Sequence, residues 1–484
     1  MQLQLPSLAE SRPHYSSPSL TPSSRSERVV LRFHRGTLLA DGLVYQPDAS
    51  MEPWRWDPRV ATYRAPAHRY LEARRALQRD PWALHDLIAR GIGPKLALTA
   101  PTLRDYQRQA VDAWLEANRR GLVVLPTGAG KTHVAIAAMA HVGRTTLVLV
   151  PTRVLLQQWL QALSTLGDQT IGALGDGQHS LRPLTVATFE SANRHMERFG
   201  DRFALLIADE VHHLASPQRA EALKLCTAPY RLGLTATPPE RFDGQSQLFA
   251  LMGPLLSRVE MGELCEDHLA PFDIFRHVVR LDNDERRLYS DARERFLASF
   301  QAFRLTRGGG DLRTFATAAK QQPSLAAGMG ALQASRRIIG GCRAKADHVA
   351  ALLAEHRRER VLIFVGDNHT AYELSRRLLV PALTCEIRRR EREEVLQRLR
   401  RGDVNAVISA RVLNEGIDLP EARVGIIAGA TQGDREHRQR VGRLLRPCAG
   451  KRACIYEIVV EDTHEVRAAE RRAKSLVPPS THRR

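Results

Sequence analysis

Residues 121–142 read GLVVLPTGAGKTHVAIAAMAHV, an apolar run followed by a glycine-rich turn and an alanine-rich stretch. This order of strand, loop and helix is the context in which a P-loop forms, because backbone N–H groups of the turn and of the helix N-terminus point at phosphate oxygens. Leu125 stands where the full P-loop pattern has its first glycine. The stretch predicts a nucleotide site at the edge of an α/β sheet.

The surrounding chain repeats the alternation of apolar strands and helix-patterned stretches. Between 99 and 265 the further strands are TTLVLVP, LTVATF, LLIADE and YRLGLTAT. Between 266 and 460 they are RVLIFV, AVISA, VGIIAG and ACIYEIVV, with the charged helix RRREREEVLQRLRRG. Such alternation is typical of parallel sheets covered by helices on both faces. The predicted fold class is α/β, with two tandem parallel-sheet domains.

The glycine-rich turn supplies the predicted phosphate contacts. Lys131 is expected to reach the β- and γ-phosphates, and Thr132 is expected to hold Mg²⁺. The residues predicted to bind the nucleotide here are Pro126, Thr127, Gly128, Ala129, Gly130, Lys131 and Thr132. ATP and Mg²⁺ are the cofactors that this chemistry requires.

A second motif, LLIADEVHH, places two acids at the end of an apolar strand. Carboxylates at this end of a parallel sheet face the nucleotide site. Asp209 is expected to ligate Mg²⁺ and Glu210 to orient the attacking water. One such acid alone could simply cap the next helix. His212 and His213 suggest contacts near the γ-phosphate rather than a zinc site, because no HExxH spacing accompanies them.

Six motifs stand in one order along the chain: LPTGAGKT, PTRVLLQQW, DEVHH, LGLTATP, VLNEGIDLP and QRVGRLLRP. Over about residues 103–460 the chain therefore resembles the superfamily 2 helicases, and within them the XPB group and its prokaryotic relatives. The resemblance implies two RecA-like domains that close over one nucleotide.

Roles for further residues follow from this resemblance alone. Gln107 in LRDYQ would read the adenine, and Thr235 with Thr237 would couple hydrolysis to DNA movement. The second domain would contribute Gly416 and Asp418 near the ribose and the closing interface, and Gln439, Arg443 and Arg446 facing the γ-phosphate. An arginine brought in by closure stabilises the charge on the transferring phosphoryl group.

Two stretches are candidates for contacts with DNA. Arg153 in PTRVLLQQW is the residue expected to touch the backbone of the tracked strand, against the alternative of an ordinary solvated arginine. The segment PPERFDG carries Arg241, Phe242 and Asp243 where the XPB group has an Arg-Glu-Asp tripeptide. Because no strand or helix pattern buries Phe242, we interpret the segment as a loop whose aromatic side chain either stacks on a base or packs on a neighbouring module.

Composition divides the remaining chain. Residues 1–27 are rich in Ser and Pro and are expected to be disordered, and 461–484 form a basic tail. Residues 28–98 predict a small α+β module in the place of the family's damage-recognition domain, with helical spacing through its second half. Residues 284–343 predict an inserted, Arg-rich helical hairpin in the place of a thumb, or else a solvated hairpin that only packs on the second domain.

Three aromatic residues of the N-terminal module, Trp54, Trp56 and Tyr63, lie among arginines. They could stack on bases. Aromatic residues in so small a module are more often part of its core, and that interpretation is favoured here.

The formal net charge of +18 favours a polyanionic partner, and the family resemblance implies that this partner is single-stranded or forked DNA. The six cysteines lack metal or disulfide spacing, and neither a signal peptide nor a membrane-spanning stretch is evident. We therefore expect a cytoplasmic monomer without a membrane partner. The family resemblance is compatible with a nuclease or repair partner.

The function expected from the resemblance is an ATP-dependent DNA helicase with 3′→5′ polarity, acting in DNA repair. One alternative is a translocase or remodelling subunit that moves on duplex DNA without separating its strands. Another is a non-hydrolysing scaffold that ATP switches between states. The scaffold would be expected to have a damaged ATP site, whereas the catalytic residue types are all present.

Overall fold

The computed structural model describes residues 28–43, 51–78, 83–88, 93, 95–166, 170–215, 219–236, 242–259, 272–410, 422–429 and 452–476. Within these ranges the strands form sheets of five, eight and six strands. The arm predicted to be disordered, 1–27, lies outside the described residues. The first part of the predicted basic tail forms a helix, and its last eight positions are outside the described ranges.

The five-stranded sheet belongs to the N-terminal module and has the order β3-β4-β2-β1-β5. Its elements are β1 (Arg28–His34), β2 (Thr37–Asp41), β3 (Arg55–Asp57), β4 (Thr62–Pro66), α1 (Tyr70–Gln78) and β5 (Ala83–Asp86). Alternate residues of β1 face one side, so Val29 and Leu31 are fully buried and share a core with Ala73 and Leu77 of α1.

The helical spacing predicted for the second half of this module is correct for α1 and wrong for β5. Residues Ala83–Asp86 form a strand that pairs in parallel with β1. The Tyr70 hydroxyl also donates to Asp86 Oδ2 at 2.7 Å, which ties this strand to α1. Periodicity cannot distinguish helix from strand in a run this short. Pairing with β1 at the edge of the sheet determines that these residues form a strand.

Two of the three aromatic residues of the module follow the favoured interpretation, and the third packs against them. Trp54 and Tyr63 are each 4% exposed and belong to the core. The indole of Trp54 donates to the Ala73 carbonyl at 3.0 Å. Trp56 is partly buried and meets Tyr63 edge to face, with ring centroids 5.3 Å apart. The prediction of a core role is confirmed for Trp54 and Tyr63.

The eight-stranded sheet has the order β13-β6-β12-β11-β7-β10-β8-β9, with all pairs parallel except β8 with β9. Its strands are β6 (Arg120–Val124), β7 (Thr146–Val150), β8 (Ile171–Gly175), β9 (Gln178–Ser180), β10 (Leu184–Thr188), β11 (Leu205–Ala208), β12 (Tyr230–Thr235) and β13 (Leu255–Arg258). Its helices are α2 (Asp105–Glu116), α3 (Lys131–Val142), α4 (Arg153–Ser164), α5 (Phe189–Phe199), α6 (Glu221–Lys224) and α7 (Phe242–Met252).

Both faces of this sheet are covered, because successive side chains of a strand point to opposite sides. Val148 and Val150 of β7 belong to the core under α2, α3 and α4. Leu147 and Leu149 of the same strand belong to a separate core under α5, α6 and α7. Because both sets of side chains are buried, strands of this sheet read as continuous apolar runs in the sequence.

The insertion after this domain contains three helices, not the predicted hairpin of two. They are α8 (Asn283–Thr306), α9 (Leu312–Ala319) and α10 (Pro323–Gly341). Gly308, Gly309 and Gly310 all have positive φ, which ends α8 and turns the chain into α9. Phe315 of α9 is fully buried between Phe296 and Phe303 of α8, so the extra helix supplies the insertion with a core of its own.

The six-stranded sheet is parallel throughout, in the order β14-β19-β18-β15-β17-β16. Its strands are β14 (Phe272–Val279), β15 (Val361–Val365), β16 (Ala382–Leu383), β17 (Ala406–Ala410), β18 (Val424–Ile427) and β19 (Ala453–Val460). Its helices are α11 (Arg343–Glu355), α12 (Asn368–Leu378), α13 (Arg389–Arg401) and α14 (His464–Leu476). The charged helix predicted from RRREREEVLQRLRRG is confirmed as α13, and β14 is a strand that the sequence pattern did not indicate.

The segment PPERFDG is a further correction to the predicted secondary structure. Phe242 and Asp243 are the first residues of α7, not part of a loop. The helix begins after Pro238 and Pro239, and its later apolar residues Leu248 and Leu251 are buried against the sheet. Because burial of that second half favours the helix, it extends back to Phe242 despite Gly244.

A buried ion pair connects α14 to α11 in the second parallel domain. Lys345 Nζ of α11 lies 2.9 Å and 2.7 Å from the two carboxylate oxygens of Glu465 in α14, and the side chains are 0% and 2% exposed. Glu465 also accepts a hydrogen bond from the Val460 N–H at 3.0 Å. The three groups join α11, α14 and the end of β19.

In the part of the chain that the structure describes, no helix combines the length and apolar character needed to cross a lipid bilayer.

Candidate nucleotide site

The glycine-rich turn joins β6 to α3 at the carboxyl end of the eight-stranded sheet. Gly128 and Gly130 have φ values of 88° and 77°, a left-handed conformation that glycine adopts without strain. A Cβ at Gly130 would lie 2.3 Å from Gln107 Nε2, so a larger residue there would displace that amide. Lys131 is the first residue of α3. The turn therefore has the backbone geometry in which a helix N-terminus can bind an anion, and phosphate binding by its residues stays a prediction.

Two side chains of α2 hold this turn from behind. Gln107 Nε2 donates to the Ala129 carbonyl at 2.8 Å, and the Tyr106 hydroxyl donates to the same carbonyl at 2.9 Å. Gln107 Oε1 accepts from the Arg104 N–H at 3.0 Å, and the side chain is 4% exposed. The second Nε2 N–H makes only a long contact, 3.5 Å, with the Tyr106 hydroxyl, and one lone pair of Oε1 is left over from these bonds. Recognition of adenine by Gln107 stays a prediction and would have to use them.

Lys131 and Glu210 face each other across the site. Lys131 Nζ lies 3.9 Å from Glu210 Oε1 and 3.4 Å from the Leu125 carbonyl oxygen, and both side chains are only about a tenth exposed. Glu210 has a φ of 49°, which is uncommon for a residue with a side chain. The sheet thus brings together a cation and a carboxylate that are far apart in the sequence.

Asp209 follows β11 and is held through both carboxylate oxygens. Its Oδ1 accepts from the Glu210 N–H at 2.9 Å, and its Oδ2 accepts from the Trp159 indole N–H at 2.9 Å. Burial, reinforced by the charge of Glu210, raises the pKa of Asp209 to about 6, while Lys131 and the Trp159 hydrogen bond act in the opposite direction. Burial makes the negative charge of the Asp209 carboxylate costly, and a nearby cation would stabilise that charge. This position therefore suits a divalent metal ion.

His212 connects the DEVHH motif to the LTAT motif. His212 Nδ1 lies 2.7 Å from Thr235 Oγ1 and 3.3 Å from Glu210 Oε2. His212 and Thr235 are both buried, at 6% and 1% exposed. Among the described residues, His212 and His213 join no group of three or more side chains that could hold a metal ion. The two contacts place the end of β12 beside Glu210, and a coupling role for Thr235 stays a prediction.

The side chains present fit a nucleotide with its metal ion. The Thr127 hydroxyl is buried and has no hydrogen-bond partner within the described part of the chain. A buried hydroxyl without a partner is costly, so a polar ligand at the turn would stabilise it. Asp209 and the hydroxyl-bearing Thr132 provide the oxygen ligands that Mg²⁺ prefers.

The other residues predicted for the site are placed as follows. Arg153 begins α4, is 74% exposed and lies 3.7 Å from Asp176 Oδ1. The backbone of Phe242 and Asp243 lies in the first turn of α7, and their side chains are not among those that the structure describes. The remaining predicted residues, Thr237, Arg241, Gly416, Asp418, Gln439, Arg443 and Arg446, lie outside the described residues.

Sequence reasoning missed two residues that contact the site, Trp159 and Tyr106. Trp159 stands at the end of the quoted motif PTRVLLQQW, and Tyr106 stands beside Gln107 in LRDYQ. Both are buried aromatic residues with a polar group, and such groups usually find a hydrogen-bond partner. That rule could have marked them as candidates without identifying Asp209 and Ala129 as their acceptors.

Family models match three stretches of the chain. Residues 31–88 match the Xeroderma pigmentosum group B helicase damage recognition domain. Residues 100–240 match the res subunit of Type III restriction enzymes, and residues 344–448 match the helicase conserved C-terminal domain.

Curated relatives extend over more of the sequence. The DNA 3'-5' translocase XPB2 of Sulfurisphaera tokodaii is 35% identical over 448 residues, which cover 92% of this chain and 99% of that protein. The DNA 3'-5' helicase XPB of Mycobacterium tuberculosis is 32% identical over 390 residues, which cover 77% of this chain and 63% of that protein. The chain belongs to the XPB family of superfamily 2 helicases, as its six motifs indicated.

Solved structures agree on the fold. Dbp5 of S. cerevisiae, bound to RNA and ADP BeF3, superimposes with a TM-score of 0.54 at 14% identity, covering 80% of this chain and 90% of that one. At this identity the match bears on architecture alone. The predicted fold class, two parallel-sheet domains of the RecA type, is confirmed.

Proposed function

We propose that this chain is an ATP-dependent DNA helicase that moves 3′→5′ on one strand and separates it from its partner. The observation that carries the proposal is the convergence of Lys131, Asp209 and Glu210 at the carboxyl end of one parallel sheet. A phosphate-binding lysine beside a metal-binding carboxylate and a second carboxylate is the arrangement that phosphoryl transfer to water requires. Relatives named for 3'-5' helicase and translocase activity support the choice of DNA as the track.

In the proposed site each described residue has a separate task. The backbone of the glycine-rich turn and Lys131 bind the phosphates, while Gln107 and Tyr106 keep the turn in shape through the Ala129 carbonyl. Asp209 and Thr132 would hold Mg²⁺, which neutralises charge on the phosphate oxygens when bound. Glu210 lies 3.9 Å from Lys131 Nζ, so its carboxylate would be near the γ-phosphate that Lys131 binds, where it would accept a proton from the attacking water.

The second domain would complete the site on closure. Gly416 and Asp418 would lie near the ribose, and Gln439, Arg443 and Arg446 would face the γ-phosphate. These roles rest on the family motifs and on the general value of an arginine that arrives at the transferring phosphoryl group, about 10³–10⁵ in rate. Arg153, Thr235, Thr237, Arg241, Phe242 and Asp243 would contact DNA or couple hydrolysis to its movement.

The experiment that tests this function is the ATPase rate measured side by side with single-stranded DNA, duplex, fork and RNA. We expect hydrolysis that depends on Mg²⁺ and is stimulated most by single-stranded or forked DNA, and none from a Lys131→Ala variant. ATP binding without turnover on any of these substrates would instead identify a scaffold that ATP switches. Stimulation by RNA above DNA would overturn the assignment of the track.

A second function, translocation on duplex DNA without strand separation, is favoured by one finding. The relative that covers 92% of this chain is named a translocase rather than a helicase. An unwinding assay on forked DNA beside displacement of a triplex-forming strand distinguishes the two activities. Unwinding of the fork supports the helicase, and triplex displacement without unwinding supports the translocase.

The setting of this activity is also part of the proposal. DNA repair and a nuclease or repair partner are suggested by the family resemblance. A cytoplasmic location is suggested by six cysteines without metal or disulfide spacing, and action as a monomer is proposed with it. The net charge of +18 supports a polyanionic partner in particular.

A further inference from the structure

Trp159 and Asp209 are hydrogen-bonded in the interior of the first parallel domain. The indole Nε1–H donates to Asp209 Oδ2 at 2.9 Å, and the two residues are 2% and 6% exposed. The other carboxylate oxygen, Oδ1, accepts from the Glu210 N–H at 2.9 Å. An ionised carboxylate has about four acceptor positions, so each oxygen keeps one for a further partner. The two donors together fix how the carboxylate is turned.

The indole is a suitable group for this task. It can only donate, so it stabilises Asp209 as an acceptor and cannot offer a competing lone pair. Its ring is anchored in the same core as Leu156 and Leu163 of its own helix. That helix, α4, begins at a cap in which Thr152 Oγ1 accepts from the Leu155 N–H, and it packs on β7, β8 and β10. The position of the N–H is therefore set by the sheet that also carries Asp209.

We propose that Trp159 is a positioning residue for the proposed Mg²⁺ site: its N–H holds the Asp209 carboxylate in the rotation that presents an oxygen to the metal ion. The inference rests on the proposed ATPase function and names a determinant of its metal affinity. Trp159 itself would touch neither nucleotide nor metal. Hydrogen-bonded partners behind a metal ligand commonly contribute about 10- to 100-fold to metal affinity.

The chain offers a matched control for testing this role. Trp114 is also buried in the first parallel domain, at 1% exposed, and its indole donates to the Arg231 carbonyl at 2.9 Å. Arg231 lies near the start of β12, whereas the nucleotide site lies beyond that strand's end at Thr235. Replacing either tryptophan by phenylalanine removes one buried N–H bond and part of a ring, but only one of the bonds reaches Asp209.

The experiment measures Mn²⁺ binding to full-length protein with the non-hydrolysable analogue AMP-PNP, followed by electron paramagnetic resonance, beside kcat and the melting temperature. We expect Trp159→Phe to weaken Mn²⁺ binding about 10- to 100-fold and to lower kcat. Trp114→Phe should lower the melting temperature to a similar degree with Mn²⁺ affinity within about twofold of the wild type. Unchanged Mn²⁺ affinity in a folded Trp159→Phe protein would overturn the inference and leave Trp159 as a packing residue.

A second variant covers the case in which phenylalanine at 159 prevents folding. Benzothienylalanine, incorporated at position 159, keeps the shape of the bicyclic ring and replaces the N–H by sulfur. It should reproduce the loss of Mn²⁺ affinity with little loss of stability; wild-type affinity with this residue would contradict the role of the N–H. If the wild-type protein itself bound no Mn²⁺ with AMP-PNP, the failure would belong to the proposed function and not to Trp159.

Discussion

Gln107 Nε2 donates to the carbonyl of Ala129 at 2.8 Å, and it lies only 2.3 Å from the point that a Cβ on the next residue, Gly130, would occupy. Any side chain at position 130 would therefore displace the amide that supports the phosphate-binding turn. Gln107 is buried and bonded at both ends of its amide, so it cannot move aside without losing those bonds.

Gly130→Ala should weaken ATP binding at least about tenfold, which corresponds to about 1.4 kcal/mol. The added methyl group displaces Gln107 and with it the Ala129 carbonyl. The control is Gly177→Ala, where the glycine has the same φ of +77° but a Cβ would meet nothing within 4 Å. Both variants should lose about 1–2 kcal/mol of stability from the left-handed backbone. Equal ATP affinities in the two variants would show that the contact with Gln107 is unimportant.

Lys131→Ala should abolish hydrolysis while changing the free energy of unfolding by less than about 1 kcal/mol. The lysine contacts the Leu125 carbonyl at 3.4 Å and Glu210 at 3.9 Å, and neither is a short bond that the fold depends on. Steady-state ATPase with and without DNA checks the first part, and thermal unfolding checks the second. Lys224→Ala, at a partly exposed lysine of α6, should leave turnover unchanged. Near-normal DNA-stimulated turnover of Lys131→Ala would refute the P-loop assignment.

Glu210→Gln should keep ATP and DNA binding and lower turnover by roughly 10²–10⁴-fold. The amide fills the space of the carboxylate and can stay near Lys131 and His212, but it does not accept a proton from water. Nucleotide affinity by fluorescence titration and turnover by phosphate release separate the two effects. Loss of nucleotide binding with this substitution would assign Glu210 to the structure of the site instead of its chemistry.

The parallel sheets could be predicted because a strand buried on both faces reads as a continuous apolar run, as in TLVLV of β7 and VLIFV of β15. Short or edge strands lack that signal. Strand β5 has four residues and only partial burial, and β14, at the edge of its sheet, is exposed or only partly buried until its last residue, Val279. Their pairing partners decide their conformation, and those partners are distant in the sequence.

The candidate site likewise contains residues that the sequence predicts and residues that it does not. Lys131, Asp209 and Glu210 could be named from local motifs because each follows a strand in a recognisable order of residue types. The contacts of Trp159 with Asp209 and of Tyr106 with Ala129 join residues 50 and 23 positions apart. No spacing rule connects such residues, since the contact arises only when helices α4 and α2 pack on the sheet.

Arg153→Ala should weaken single-stranded DNA binding and reduce the slope of log affinity against log salt concentration by about 0.7. Arg153 is 74% exposed and lies 3.7 Å from Asp176, so its guanidinium is accessible to a phosphate. The control is Arg194→Ala on α5, an arginine of similar exposure paired with Glu190 at 2.6 Å. Fluorescence anisotropy at several salt concentrations provides the slopes. A slope unchanged by Arg153→Ala would place the phosphate contacts of this protein elsewhere.

Lys345→Ala should lower the free energy of unfolding by about 3–5 kcal/mol, because it leaves the carboxylate of Glu465 buried without its partner. The pair is almost completely buried, and among the described residues the Glu465 carboxylate keeps only the Val460 N–H at 3.0 Å once the ammonium is removed. The expected consequence is release of α14 from α11 and β19. Chemical denaturation measures the change, and hydrogen exchange of the α14 amides locates it.

The matched control is the exposed pair Arg377–Asp347, whose atoms are 2.6 Å apart with side chains 41% and 71% exposed. Arg377→Ala should cost at most about 1 kcal/mol, because water screens an exposed ion pair and replaces it readily. Replacing both buried partners, with methionine at 345 and glutamine at 465, should recover part of the loss: no carboxylate then stays unpaired, and the glutamine oxygen can still accept from Val460. If Lys345→Ala were as mild as Arg377→Ala, the attachment of α14 would depend on its apolar contacts and not on the ion pair.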